Sequence, residues 1–199
     1  MMDWIAGILV GGQSRRMGRD KALLPLGDLT MLESVYHVVS RVVRRVVLVG
    51  APPFALPPAM NGACVITDYT PGLGPIGGLE ALLTHAAGAD GLLIACDMPN
   101  LNEALLRRLT DTGLDGDAVV PTTLAGHGRR RHPCCAAYRA SALSVVRAAI
   151  AAGGFALHDL LNRLRVQTID LSDDEAKWVE NWNRPADLPL PAATRETAR

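Results

Sequence analysis

Arg15, Arg16, Arg19 and Lys21 crowd into one loop directly after the pair Gly11-Gly12, and that loop follows a short apolar run. Backbone N–H groups at a glycine pair can approach an anion closely, because no Cβ intervenes. Full positive charges at the same place make the loop a cradle for a polyphosphate. Lys21 suits the stabilisation of an α-phosphate, as a preorganised cation facing the developing charge. Asp20 beside it is placed to orient the ammonium. Arg16 can grip β- and γ-phosphates bidentately, whereas Arg15 and Arg19 read as solvent-facing. Two common phosphate motifs are excluded. A Walker A loop needs Lys-Ser/Thr after its glycine, and here Gly18 is followed by Arg19-Asp20; the dinucleotide fingerprint GxGxxG is absent.

Two carboxylates complete the set. Asp97 follows the uniformly apolar stretch 91–96, and Asp68 stands in Thr67-Asp68-Tyr69-Thr70, ahead of the glycine-rich segment 71–78. Mg²⁺ is commonly held by one or two carboxylates, with waters and substrate phosphates filling its shell. Asp97 is therefore the metal candidate. Its alternative role is to cap a helix that begins near Leu101.

These residues need elements that bring them together. Apolar runs at 4–10, 46–49, 64–66, 91–96 and 118–120 read as strands, and 3.6-residue periodicity marks helices near 30–42, 76–87 and 101–112. Continuous apolar strands separated by helices imply a mostly parallel sheet covered on both faces, a Rossmann-like three-layer α/β/α sandwich. In such sheets ligands bind beyond the carboxyl ends of the strands. That rule gathers the cationic loop, Asp68, the 71–78 segment and Asp97 onto one rim. Beyond residue 121 the pattern loosens: 126–131 reads as a loop and 132–138 as a strand. Ser141 is an N-cap candidate for a helix to Ile150, and a shorter helix follows over 157–164.

The chain carries 20 basic and 20 acidic residues, so its formal net charge is zero, with none of the basic excess of a nucleic-acid binder. Cys64 and Cys96 sit in apolar runs and read as small buried hydrophobes. Adjacent Cys134 and Cys135 point to opposite strand faces and should not pair. With no third ligand near them and His132, packing is their expected role. No apolar run is long enough to span a bilayer and no secretory signal is visible, so the expectation is a cytoplasmic protein with no membrane partner. The expected organisation is a single domain over 1–190 with a disordered tail at 191–199.

The string Leu-Val-Gly-Gly-Gln-Ser-Arg-Arg-Met-Gly-Arg-Asp-Lys resembles the LAGGxSxRMGxDK signature of the MobA-like nucleotidyltransferases, and within them the molybdenum cofactor guanylyltransferases. Ile66-Thr67-Asp68 with Gly74-Pro75-Ile76-Gly77-Gly78 is similar to the family's D…GPLAG segment, and Ala95-Cys96-Asp97-Met98-Pro99 to its CDMP or CDTP segment. His132 to Tyr138 is similar to QPLCAVY, and Asn181 to Leu188 to NVNTPEDL. The resemblance implies transfer of GMP from Mg-GTP to the terminal phosphate of Mo-molybdopterin, with release of pyrophosphate. It also allows transient contacts with other molybdenum cofactor biosynthesis proteins. By position, Leu9, Val10, Gly11, Gly12, Lys21, Asp68 and Asp97 take the family's nucleotide-binding places, with Asp97 on Mg²⁺. Arg16, Lys21 and Asp97 are the catalytic candidates, and Asn181 and Asn183 face the pterin. Three departures stand out. Val10 replaces an alanine, Gly50-Ala51-Pro52 stands where guanylyl enzymes often carry an asparagine, and Trp182 replaces a valine. The first two bear on the choice of base. The alternatives are a molybdenum cofactor cytidylyltransferase, which usually reads Ala-Ala-Gly where this chain has Val10-Gly11-Gly12, another nucleotidyltransferase of the group, or a non-catalytic nucleotide-binding adaptor.

Overall fold

In the computed structural model, residues 3–11, 20–113, 115–126 and 128–182 are described. Gly12, Arg15, Arg16, Arg19 and Asn183, and the tail expected at 191–199, lie outside them. The central sheet is eight-stranded. Its parallel half comprises β1 (Trp4–Leu9), β4 (Arg45–Val49), β5 (Cys64–Ile66) and β6 (Asp90–Ala95). Its other half comprises β7 (Ala118–Ala125), β8 (Gly128–Arg131), β9 (Cys135–Tyr138) and β10 (Val166–Asp170). The order runs β10-β7-β9-β6-β1-β4-β5, with β8 pairing β7. A small hairpin of β2 (Pro25–Leu26) and β3 (Leu29–Thr30) stands apart from it.

The strand order reverses beside β1: the chain passes from β1 to β4 and β5, then returns to lay β6 on the opposite side. Both neighbours run parallel to β1, and the register pairs Leu9 with Val49 on one side and with Ala95 on the other. The residues that follow these three strands therefore emerge side by side at a topological switch point.

Alternate residues of each strand face opposite helical layers. Ala6, Ile8, Leu48, Leu92 and Ile94 pack with α1 (Met31–Ser40) and α3 (Glu103–Asp111). Ile5, Val47, Val49, Leu93 and Tyr138 pack with α2 (Pro75–Ala86), α4 (Ala142–Ala151) and α5 (Leu157–Leu161). Each large apolar side chain fully buried this way contributes roughly 1.5–3 kcal/mol. Glycines set how closely α2 lies on the sheet. A Cβ on Gly7 would fall 2.8 Å from Val49 Cγ2, and one on Gly91 would fall 2.9 Å from Leu83 Cδ2. Local signals start the helices on the other face. Thr30 and Glu33 form a reciprocal capping box for α1, and the Asn102 side chain accepts from Ala104 N at 2.7 Å to cap α3.

Several expectations change. The 126–131 segment is not simply a loop: β8 pairs antiparallel with the extended end of β7, Arg130 opposite Thr123 and Arg131 opposite Thr122. A charged, exposed strand carries no apolar signal, which is why the sequence hides it. Cys64 is exposed rather than buried, because β5 is the edge strand. Cys96, Cys134 and Cys135 are free thiols. Ser141 occupies the N-cap position of α4, but its side chain makes no cap hydrogen bond. Tyr138 is buried and donates through its hydroxyl to Pro133 O at 2.8 Å. No helix among the described residues is long and apolar enough to cross a membrane.

Candidate active site

Three adjoining cavities lie along the carboxyl rim. The central one, about 330 Å³, is walled by Leu9, Val10, Gly11, Lys21, Asp97 and Asn181, among others. A second of about 660 Å³ shares Leu9, Gly11 and Pro75 with it and extends past Gly50, Ala51, Thr67 and Asp68. A third of about 580 Å³ shares Asn181 and runs along the β7–β8 hairpin to Trp182. Each is within the size range of small-ligand pockets.

Asp97 is the centre of the arrangement. It stands two residues past the end of β6, and its backbone and side chain are both fixed. Its carbonyl accepts from Trp182 N at 2.9 Å, and Oδ1 accepts from Asn181 Nδ2 at 2.6 Å. Oδ2 lies 3.9 Å from Lys21 Nζ, and both side chains are only 17% exposed. Burial pushes the Asp97 carboxyl above its ordinary value, while Lys21 and the Asn181 hydrogen bond pull the other way. The net direction is upward, because the cost of burial outweighs both. Because Asn102 caps α3, the capping role for Asp97 is excluded. Lys21 is delivered by a single 3₁₀ turn, Lys21–Leu23, anchored through buried Ala22.

The glycine end of β1 is shaped by close backbone contact. Val10 N donates to Val49 O at 2.9 Å. A Cβ on Gly50, whose φ is +99°, would fall 2.9 Å from Gly11 Cα, and one on Gly11 would fall 3.2 Å from Gly50 Cα. Gly50 therefore lets the backbone just after β4 lie against Gly11 at the end of β1. The sequence showed only the missing side chain; two glycines ending neighbouring parallel strands were the available signal. Val10 is 6% exposed and packs in the core while also bordering the central cavity.

Asp68 belongs to the second cavity rather than to the Lys21–Asp97 pair. It is half-buried, and burial followed by the nearby Glu80 charge raises its carboxyl. It faces the first turn of α2, where a Cβ on Gly77 would lie 3.5 Å from Oδ2. Gly78 is equally constrained, since its Cβ would be 2.5 Å from Leu9 Cδ2. The Gly77-Gly78 pair thus seats the helix N-terminus against the end of β1 and leaves room for Asp68.

The structure brings Leu9, Val10, Gly11, Lys21 and Asp97 to one cavity, with Asp68 in the adjoining one. Asn181, expected on the pterin side, borders both the central and the third cavity and also holds Asp97. Sequence reasoning missed that second role, because the two residues are separated by 84 positions. It also missed Thr123 and His132, which share a 2.9 Å hydrogen bond in the wall of the third cavity. Burial, then the charges of Arg130 and His158, lower His132 to about 4.

A family model described as the MobA-like NTP transferase domain matches residues 6–168. A protein of Pelotomaculum thermopropionicum named probable molybdenum cofactor guanylyltransferase is 31% identical over 198 residues, covering 96% of this chain and 93% of its own. A Mycobacterium marinum protein of the same name is 36% identical over 193 residues, with coverage of 94% and 92%. Among solved structures, molybdopterin-guanine dinucleotide biosynthesis protein A from Archaeoglobus fulgidus superposes with a TM-score of 0.73 at 26% identity, covering 92% of this chain and 94% of that one.

Proposed function

The chain belongs to the MobA-like NTP transferase family, and from that premise we propose that it transfers GMP from Mg-GTP to the terminal phosphate of molybdopterin. The observation that carries this reading is the fixed Lys21–Asp97–Asn181 group at the switch point, between one cavity of nucleoside size and another large enough for an acceptor. An acceptor phosphate oxygen attacks the α-phosphorus, the bond to the β-phosphate oxygen breaks, and pyrophosphate leaves. The nucleophile is already an anion, so no protein base is required. Catalysis then rests on positioning and on compensating charge.

The residues fit a divalent ion. Asp97 offers a hard oxygen donor on a rigid strand end, in surroundings whose burial disfavours an uncompensated carboxylate. Asp97 would hold Mg²⁺, which when bound neutralises phosphate charge and polarises the reacting phosphoryl group. Lys21 stabilises charge on the α-phosphate, and Asn181 keeps the Asp97 carboxylate aimed into the central cavity. Leu9, Val10, Gly11 and Gly12 border the nucleotide, Asp68 serves its nucleoside end, and Arg16 grips the outer phosphates. Asn183 joins Asn181 on the pterin side. The names of the relatives support GTP and molybdopterin as the substrate pair.

Incubation of purified protein with Mg²⁺, molybdopterin and each of the four NTPs in turn, with pyrophosphate and dinucleotide product assayed together, tests this reading. Turnover with GTP is expected. Turnover with CTP and not GTP overturns the guanylyl assignment, and binding without turnover of any NTP supports an adaptor instead.

A further inference from the structure

Three arginines in a row on an exposed strand look equivalent in sequence, yet the structure separates them. Arg129 pairs with Asp170 at 3.0 Å and reaches Thr122 Oγ1 at 3.3 Å. Arg131 donates to Asn162 Oδ1 at 2.6 Å. Both are engaged on one face of the hairpin. Arg130 projects to the other face by strand alternation. There it lines the 580 Å³ cavity together with Thr123, His132, Glu180, Asn181 and Trp182. Among the described residues no carboxylate stands within ion-pair distance of Arg130; the ion pairs of this hairpin belong to its neighbour.

We propose that Arg130 and Trp182 form the specificity-determining grip on the acceptor, Arg130 binding an anionic group of the acceptor and Trp182 covering its flat heteroaromatic ring. The proposal rests on the acceptor reading given above and assigns it to particular side chains. Three observations carry it. The cavity joins the Asp97 centre through Asn181, so an occupant can present a phosphate to the central cavity. Trp182 is not a loose surface residue, because its backbone N–H is tied to Asp97 O at 2.9 Å. With its backbone tied there, the half-buried Trp182 side chain borders the cavity, and an indole offers a large flat π-face with few rotatable bonds. Finally, the polar groups are complementary to such a ligand. A guanidinium takes an anion bidentately, while the Glu180 carboxylate can accept from adjacent ring N–H and amino donors. The Thr123–His132 hydrogen bond fixes the imidazole in the wall of the same cavity.

The test separates acceptor affinity from chemistry. In steady-state assays of GMP transfer, Arg130→Ala should raise the KM for molybdopterin at least tenfold with the KM for GTP within twofold. Arg130→Lys should recover part of that loss. Trp182→Val, which restores the residue usual at that place in the family, should raise the acceptor KM several-fold by the same pattern. Arg129→Ala is the comparison, and its acceptor KM should stay within twofold. Independently of turnover, titrating molybdopterin into the unsubstituted protein should quench tryptophan fluorescence, and the quench should be largely lost in Trp182→Phe, where Trp4 and Trp178 remain. An unchanged acceptor KM in Arg130→Ala, or undiminished quenching in Trp182→Phe, overturns the inference while leaving the guanylyl reading intact. Absence of turnover in the unsubstituted protein would remove that reading, and the quenching titration alone would then decide whether this cavity takes the pterin.

Discussion

The parallel half of the sheet and the half built around β7 are built from different materials, and the proposed function gives them different work. On the β5-β4-β1-β6 side, the rim is made of backbone. Gly11 and Gly50 touch nearly Cα to Cα, and Gly77 and Gly78 seat α2 against Leu9 and beside Asp68. On the other side the rim is made of side chains: Arg130 and His132 at the β7–β8 hairpin, and Trp182 in the irregular segment after the 3₁₀ turn Lys177–Val179. A phosphate chain is common to all nucleotides and can be bound by a backbone that tolerates no substitution. A single acceptor has to be picked out by side chains, which can be exchanged without disturbing the strands. Asp97 stands where the two halves meet, reached by Lys21 from one and by Asn181 from the other.

Substitutions at the meeting point should have the largest effect. Asp97→Ala is expected to lower kcat on the order of 10³-fold, with the far-UV circular dichroism spectrum and a cooperative melt retained. Near-normal turnover would remove Asp97 from the mechanism. Next comes the backbone side. Gly50→Ala combines a positive φ with a Cβ 2.9 Å from Gly11, so it should destabilise the fold by about 3 kcal/mol and raise the KM for GTP. Denaturant midpoints and GTP kinetics check both effects.

On the side-chain half the effect is smaller and depends on pH. His132 is held near 4 in the folded protein, below its ordinary 6.5, so the unfolded chain binds more protons between those values. Stability should be complete above 6.5 and fall as pH drops toward 4. His132→Gln should flatten that acid loss, measured as urea midpoints across the window; an identical slope in the variant would place the titration elsewhere. The smallest effect belongs to a glycine with no close neighbour. Gly62 shares the φ of +99° with Gly50 but has nothing within 4 Å of its missing Cβ. Gly62→Ala should cost about 1 kcal/mol of strain and leave GTP kinetics unchanged. Equal losses at Gly50 and Gly62 would show that dihedral strain, and not the contact with Gly11, governs the parallel rim.

The same contrast explains what the sequence could reveal. The parallel half was legible because its strands are unbroken apolar runs and its loops are glycine-rich, two signals that survive without any partner in view. Leu9, Gly11, Lys21 and Asp97 thus fall on one rim from the sequence pattern alone. The other half was obscure for a physical reason: β8 is three arginines after a glycine, and β10 shows no clean alternation in exposure, with only Ile169 buried among its five residues. Nothing local distinguishes Arg130 from Arg129 and Arg131; only the pairing register with Thr123 and Thr122 does. Asn181 was recognised by its motif, but its bond to Asp97 joins residues 84 positions apart. Long-range pairings of that kind leave no periodic trace in a single chain.

The central claim is that a nucleotide's α-phosphate and an acceptor phosphate are brought together at Asp97. A single-turnover reaction with GTP labelled at the α-phosphorus, molybdopterin and Mg²⁺ tests it most directly. The label should appear in the pterin dinucleotide, with unlabelled pyrophosphate formed in equal amount and no product when molybdopterin is omitted. Label recovered in GDP, or in GMP formed without the acceptor, would contradict it.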